Sequence, residues 1–484
     1  MAIARSTPPT LSRLTVLVLA AGKGTRLRSK TIKLLHGVAG RPMVAHVVAA
    51  ARALRPRRLI TVVGHQADQV REALADSGPS FVLQRQQRGT GHAVLQAARQ
   101  IGADSRSTLL ILNGDLPTLR VSTLRRLVRT HQRNGAALSV MTAELADPAR
   151  YGRIVRDGRG RFERIVEYGD ATKTERAIRE VNCGIYCADP GLLIRTLRRV
   201  RPDNAQSEYY ITDAVQAIAG RGGKVAAVLH SDAQELLGVN DREELAAAAR
   251  TLYARKAEEL QAKGVTLLDA SRTWIDPAAK VGRDTIIFPD VIIEGATVIG
   301  GDCVIRPGCR LSGSWLGRGV EIKDHSVVLD SRVGNGAAVG PFAHLRPGTR
   351  LEAESKVGNF VELKKTTLGR RAKANHLTYL GDAEIGAGSN VGAGTITCNY
   401  DGTHKHRTTL GRGTFIGSGT QLVAPIKIAD GAYVAAGSTL TKDVPSGALA
   451  VARGRQLNVE GWVARRAGKA GKKRRPSSGK SRKR

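Results

Sequence analysis

The chain has 484 residues, 42% of them hydrophobic and 4% aromatic, with a formal net charge of +34. That length allows two domains with full cores, and the hydrophobic content excludes a wholly disordered chain. Five scattered cysteines, Cys183, Cys187, Cys303, Cys309 and Cys398, argue against a disulfide framework, and Cys183-x3-Cys187 lacks the second ligand pair of a zinc site. Met1 to Arg13 has no apolar signal core and no run approaches membrane-spanning length, so a cytoplasmic protein without a membrane span is expected. The excess charge suits phosphate-rich substrates. Eleven Lys and Arg with no acid fall between Ala464 and Arg484, which reads as a disordered cationic end open to non-specific polyanion contact. No recognition module or aromatic platform for bases is present, so no specific nucleic acid partner is expected.

In chain order, Leu14 to Leu19 is a continuous apolar run, as in a buried parallel strand. It ends at Ala20-Ala21-Gly22-Lys23-Gly24-Thr25-Arg26, a turn whose backbone N–H groups suit an anion. The turn matches neither Gly-x-Gly-x-x-Gly nor the P-loop, and alone it is an ordinary strand-to-helix connection. Two further apolar runs end at Gly64-His65 and at Asn113-Gly114-Asp115. Strands alternating with helical stretches imply an α/β sheet, in which ligands sit at the carboxyl ends of the strands. A strand-end carboxylate such as Asp115 is by itself a turn former. Beside a phosphate loop it is a natural Mg²⁺ ligand.

Taken together, Leu19 to Arg26, Lys33, Gln84 with Gly89-Thr90-Gly91-His92, Asn113-Gly114-Asp115, Tyr151-Gly152-Arg153, Glu167, Asn182 and Gly238-Val239-Asn240 resemble a sugar-1-phosphate nucleotidyltransferase. The closest resemblance is to the bacterial bifunctional N-acetylglucosamine-1-phosphate uridyltransferase/glucosamine-1-phosphate acetyltransferases, and it covers about residues 14–462. It implies a Rossmann-like α/β nucleotidyltransferase domain over 14–240, after an extension of residues 1–13. In that domain Leu19, Ala20, Ala21, Gly22, Gln84, Gly89 and Thr90 would hold the uridine of UTP, and Arg26 and Lys33 would contact phosphates. Asn113 and Gly114 flank the Asp115 that, with Asn240, would hold Mg²⁺. Gly152, Glu167 and Asn182 would bind the sugar. The family pattern has Leu-Pro-Lys where this chain has Thr31-Ile32-Lys33, so the fixed φ of Pro is lost. A looser Lys33 and weaker uridyl transfer are expected, with Lys30 as a substitute cation. Asn113 is also not the residue that the family pattern leads one to expect.

Asp241 and Glu244 resemble a capping box opening a linker helix over 241–264, with Lys256 interrupting the stripe Leu245, Ala249, Leu252 and Leu260. From Val281 to Leu440 apolar residues recur every six positions, as at Ile287, Ile293, Ile299, Ile305 and Leu311 and again at Leu410, Ile416, Leu422 and Ile428. Period six fits neither a helix nor an alternating strand. It fits a solenoid of short strands and corners, three hexads to a coil of 18 residues, with room for eight or nine coils. The resemblance makes this, over 265–462, a left-handed parallel β-helix of hexapeptide repeats, with 463–484 as the basic tail. It also implies a homotrimer, and faces around 333–345 and 385–396 have few charges.

Polar motifs interrupt the repeat at 376–382 and 397–409. Alone, His376 would be a corner residue satisfied by solvent. The resemblance makes it the catalytic base that takes a proton as the amine of glucosamine 1-phosphate attacks acetyl-CoA. Carried over in the same way, Arg346 and Lys364 would bind the sugar phosphate, and Tyr379 and Asn390 the sugar. Asn399 and Tyr400 would orient the amine and thioester, and Ala393, Ser418, Ala436 and Arg453 would line the acetyl-CoA groove.

Overall fold

The structure, a computed structural model, describes residues 13–22, 24–204 and 206–472. The chain forms two compact units, one of residues up to 281 together with 287–297, the other of 282–286 with the residues from 298 onward. Among the described residues no helix is long and apolar enough to cross a membrane.

The first unit is built on a twisted sheet in the order Val225–His230, Leu138–Glu144, Glu180–Ala188, Thr108–Asn113, Leu14–Ala20, Arg58–Val63, Ser80–Leu83. Leu14–Ala20 lies inside it, parallel to both neighbours. Its run is continuously apolar because both faces are covered. Val16 and Val18 join Val44, Val47, Leu124 and Leu127 on one side, while Leu17 joins Ile60, Ile111, Val94 and Ile218 on the other. One strand departs from the parallel pattern: Glu180–Ala188 runs antiparallel to both neighbours. Its register shifts between Asn182 and Tyr186. There Gly184 takes φ +69°, and a Cβ on it would stand 2.2 Å from Asn113 Nδ2, so no larger residue fits.

Arg242–Ala262 forms the linker helix, with the Asp241 carboxylate accepting from Glu244 N at 2.9 Å. The reciprocal bond of a capping box is displaced by one residue, because Glu244 Oε2 accepts from Asn240 N at 2.5 Å. Lys256 is buried in the apolar stripe with its ammonium 3.3 Å from Glu259.

The second unit is a left-handed parallel β-helix. Ile299, Ile305, Leu311, Val339, Leu345, Leu363, Ile416, Leu422 and Ile428 are all buried, so the six-residue phase marks the interior column. The coil is shorter than three full hexads. Val298 pairs with Trp315, and Trp315 with Arg332, a step of 17 residues rather than 18. One corner per coil is tighter, and residues such as His325, Phe342, Phe360 and Leu377 take positive φ there.

Two further expectations are corrected. The segment 376–382 does not break the coil: Lys373–Gly381 is a strand paired with Lys356–Lys364, and its polar residues face outward. Only Asn399 to Arg407, between the strands Ile396–Cys398 and Thr408–Leu410, leaves the coil as a loop. The basic end also begins as a helix, Trp462–Lys472. Ala, Arg and Lys favour helix and Pro476 comes only later. Residues 1–12 and 473–484 lie outside the described residues.

Candidate active sites

A cavity of about 1010 Å³ opens at the strand ends of the first unit. Arg26, Thr90, Asn113, Asp115, Gly152, Glu167, Asn182 and Asn240 line it. Gly114 N donates to Leu19 O at 2.9 Å, which ties the strand end carrying Asp115 to the glycine turn. Val239 N donates to Asp115 O at 3.0 Å and brings Asn240 alongside. Lys33 Nζ then donates to Asp115 Oδ2 at 2.6 Å and to Asn240 Oδ1 at 2.8 Å, and Arg26 Nη2 reaches the same Asn240 oxygen at 2.9 Å. One carboxylate and one amide oxygen thus converge on a single cation.

The glycine turn has two kinds of glycine. At Gly24, φ is +64° and a Cβ would stand 2.2 Å from Lys33 Cβ, so packing requires it. At Gly22 a Cβ would meet nothing within 4 Å, so neighbouring protein atoms give no reason for glycine there. Ala20 and Ala21 are buried beneath the turn. Gln84 is buried as well, its amide donating to Gly89 O at 3.2 Å and lying 2.9 Å from His92 Nδ1. Ile32 corrects an expectation. It holds φ −62° and ψ 149° and is buried, so the backbone entering Lys33 already has the geometry a proline would impose.

Across the cavity, Thr212 Oγ1 donates to Glu167 Oε1 at 3.1 Å, and Gly152 passes close enough that a Cβ would meet Glu167 Oε2 at 3.2 Å. Burial pushes the Glu167 carboxyl above the ordinary glutamate range. The Thr212 bond opposes this, and Asp213 and Asp170 reinforce it. Asn182 donates to Tyr186 Oη at 2.7 Å and accepts from Gly184 N at 3.0 Å. Behind Gly152, Arg153 is fully buried with its guanidinium bonded to the carbonyls of Pro148, Ala149, Tyr151 and Arg176, so it fixes the loop that presents Gly152. Sequence reasoning missed Tyr151, Thr212 and Glu244. Tyr151 Oη accepts from Gly238 N at 3.1 Å, and burial pushes its pKa up to about 12.

In the β-helix, Asn359 and His376 are Cα partners on adjacent strands. His376 Nδ1 and Asn359 Oδ1 are 3.1 Å apart. An amide oxygen only accepts, so Nδ1 carries the proton and Nε2 keeps its lone pair, pointing outward from an exposed corner. On the same pair of strands Glu362 lies opposite Tyr379, and Arg346 Nη1 pairs with Glu362 Oε1 at 2.7 Å. Asp382 N donates to Lys364 O at 2.9 Å, and Asn399 Nδ2 donates to Asp382 Oδ2 at 2.6 Å.

The loop after Asn399 adds a residue that no motif signalled. The Lys405 side chain lies beside Lys364. Together with some desolvation and the Arg346 charge it holds the Lys364 ammonium below the ordinary lysine range, while Asp382 opposes the shift. Arg346, Lys364 and Lys405 therefore form one cationic cluster, a natural seat for a phosphate. Asp401 braces the loop. It accepts from His404 N at 2.6 Å, from the His406 ring at 2.6 Å and from Thr403 N at 2.8 Å, bonds that hold its carboxyl below the usual range. Tyr400 Oη donates to Gly402 O at 2.5 Å within the same loop.

The residues expected along the acyl donor form a separate column. Gly394 N donates to Leu377 O at 3.0 Å, Gly419 N to Ala393 O at 2.7 Å, and Gly437 N to Ser418 O at 2.8 Å. Arg453 Nη1 closes the column on Ala436 O at 2.9 Å. Ala393, Ser418 and Ala436 thus stack one per coil, starting beside His376. Asn390 lies opposite Lys373 and Phe415 on the neighbouring face, with no side-chain bond to His376.

Residues 16–181 match the family model of the MobA-like NTP transferase domain, and residues 270–351 match that of the GMPPB C-terminal domain. Over nearly the whole length the chain is similar to proteins described as bifunctional protein GlmU. The Trichlorobacter lovleyi protein is 49% identical over 92% of this chain and 97% of its own length. A Geobacillus relative is 46% identical over 93% and 97%, and that of Streptomyces avermitilis 46% over 93% and 94%. At this identity and coverage both halves are shared, and the chain belongs to the bifunctional GlmU family, acetylating glucosamine 1-phosphate from acetyl-CoA and joining N-acetylglucosamine 1-phosphate to the uridylyl group of UTP.

Proposed function

We propose that the two reactions are divided between the two units, uridyl transfer in the sheet cavity and acetyl transfer at the His376 corner. The observation that carries this is the separation of the site residues into two groups that share no member. The boundaries 14–240, 241–264 and 265–462 are assigned to uridyltransferase, linker helix and acetyltransferase.

In the cavity, the phosphate oxygen of N-acetylglucosamine 1-phosphate bonds to the α-phosphorus of UTP while the bond to the departing pyrophosphate breaks. The attacking oxygen is already ionised, so no base is needed. Leu19 to Gly22, Gln84, Gly89 and Thr90 hold the uridine, and the space above Gly22 lets a ligand approach the backbone. Arg26 and Lys33 take phosphates, and Gly152, Glu167 and Asn182 take the sugar. Asp115 and Asn240 suit Mg²⁺. They offer two oxygens aimed at one point, and the described residues contain no cluster of three or more His, Cys, Asp or Glu, so phosphates and water complete the shell as is usual for this ion. When bound, Mg²⁺ neutralises charge on the phosphates.

At the β-helix corner, Arg346, Lys364 and Lys405 take the phosphate of glucosamine 1-phosphate. The neutral amine attacks the thioester carbonyl, His376 Nε2 accepts the amine proton, and the CoA thiol leaves. Ala393, Ser418, Ala436 and Arg453 line the CoA groove. A cytoplasmic homotrimer fits this unit, since Phe342, Phe360 and Leu377 form an exposed apolar column beside His376, with the two rings 5.4 Å apart. Sedimentation that returned only monomer would exclude it.

The test is product identification from glucosamine 1-phosphate, acetyl-CoA and UTP, with and without a chelator. With the chelator, thiol release should continue and N-acetylglucosamine 1-phosphate should accumulate, while pyrophosphate release stops. Pyrophosphate release that persists would remove the metal assignment.

Two further outcomes are expected. Glu167 protonates at a higher pH than an ordinary glutamate, so affinity for N-acetylglucosamine 1-phosphate should fall as pH drops through that raised pKa. In Glu167→Gln that acid limb of kcat/KM should vanish. Ile32→Pro should leave uridyl transfer within about twofold, because the native φ already fits proline. A large loss in its steady-state rate would show that the Ile32 side chain itself is needed.

A further inference from the structure

The two cations expected on the phosphates instead lie on the two oxygens assigned to the metal. Lys33 Nζ is 2.6 Å from Asp115 Oδ2 and 2.8 Å from Asn240 Oδ1, and Arg26 Nη2 is 2.9 Å from that same Asn240 oxygen. A divalent ion held by both oxygens at roughly 2.0–2.1 Å would occupy the space of the ammonium. Sterics and charge repulsion forbid both together.

We propose that Lys33, seconded by Arg26, is an internal counter-cation for the metal ligands, one that a divalent ion must displace and that on displacement is delivered to the triphosphate. The inference rests on the assignment of Asp115 and Asn240 as metal ligands. Three observations support it. The Asp115 and Lys33 side chains are only 23% and 12% exposed, so the carboxylate needs a partner in this half-buried place. The Lys33 stem is pinned, because Gly24 passes so close that a Cβ there would stand 2.2 Å from Lys33 Cβ. Ile32 and Leu34 on either side are buried, so displacement is confined to the outer side-chain bonds and keeps the ammonium under the glycine turn. Finally, Asn240 Oδ1 accepts from both cations, so a single event frees both for the phosphates.

The consequence is a coupling between metal and nucleotide. A divalent ion alone must expel Lys33 with nothing to receive it. With UTP present the displaced charges meet phosphate oxygens, so each ligand strengthens the other by the same factor. Removing the lysine charge removes the competitor and most of that coupling.

The experiment is a Mn²⁺ titration of the full chain, read by electron paramagnetic resonance of the free ion, with and without UTP. Asp115→Asn serves as the background for Mn²⁺ bound elsewhere. Without nucleotide, Lys33→Met should bind Mn²⁺ at the Asp115 site about tenfold or more tightly than the parent chain. The factor by which UTP tightens Mn²⁺ binding should shrink in parallel. Equal Mn²⁺ affinity of Lys33→Met and parent without UTP overturns the proposal while leaving the metal assignment standing. Asp115→Asn that binds Mn²⁺ with UTP as well as the parent overturns the metal assignment, and the proposal with it. Melting temperatures report folding, and Lys33→Gln carries the same expectation should Lys33→Met fail to fold.

Discussion

His376→Ala is expected to lower acetyl transfer by about 10²- to 10⁴-fold, the range typical of a lost general base, while uridyl transfer in the other unit continues. The measurement is thiol release from acetyl-CoA, with pyrophosphate release from UTP and N-acetylglucosamine 1-phosphate as the internal control. The expectation comes from the tautomer. Asn359 Oδ1 accepts from Nδ1 and so leaves Nε2 unprotonated toward the outer face. Asn359→Ala removes the group that sets ring orientation and proton position but not the base, so it should cost less than the loss of His376. Lys405→Ala should act differently. It removes one cation of the phosphate cluster and should raise KM for glucosamine 1-phosphate with a smaller change in kcat. If His376→Ala keeps acetyl transfer near the parent rate, the proton leaves by another route and the base has been misassigned.

Asp115→Asn is expected to reduce uridyl transfer by about 10²- to 10³-fold or more, with acetyl transfer retained. The amide keeps the volume and can still accept from Lys33, so the fold should survive and the melting temperature should change little. It lacks the charge that makes the position a metal ligand. Asp115→Ala should lose at least as much activity and also strand Lys33 without its 2.6 Å partner, so its melting temperature should fall by more. Excess Mg²⁺ should restore part of the activity of Asp115→Asn, since Asn240 and the phosphates still offer oxygens. Pyrophosphate release at the parent rate in Asp115→Asn would show that the carboxylate is not used.

Much of this was legible in the chain because it depends on local physics. A strand covered on both faces must be apolar throughout, which marks Leu14–Ala20. A solenoid buries one residue per short strand, so the hexads name the interior column without any knowledge of pairing. Even the Asn359–His376 contact left a signal, since the two residues are one coil apart at 17 positions. The coil length had been read as 18. A six-residue period averages over corners, and the missing residue is absorbed where His325, Phe342, Phe360 and Leu377 take positive φ.

What the tertiary structure alone decided lies in contacts between distant segments. Period and composition do not say that Glu180–Ala188 inserts antiparallel between two parallel neighbours, because strand order is a choice among partners of similar apolarity. Lys405 reaches Lys364 only because the loop after Asn399 folds back, with Asp401 holding its turn. The sequence by itself determined the two architectures and the residue types that phosphate, metal and acyl chemistry require. It did not determine that Lys33 would meet Asp115 across 82 residues and Asn240 across 207. The side chains meet because Gly114 is bonded to Leu19 and Val239 to Asp115, which carries three remote segments to one point and sets a lysine against the oxygens meant for a metal.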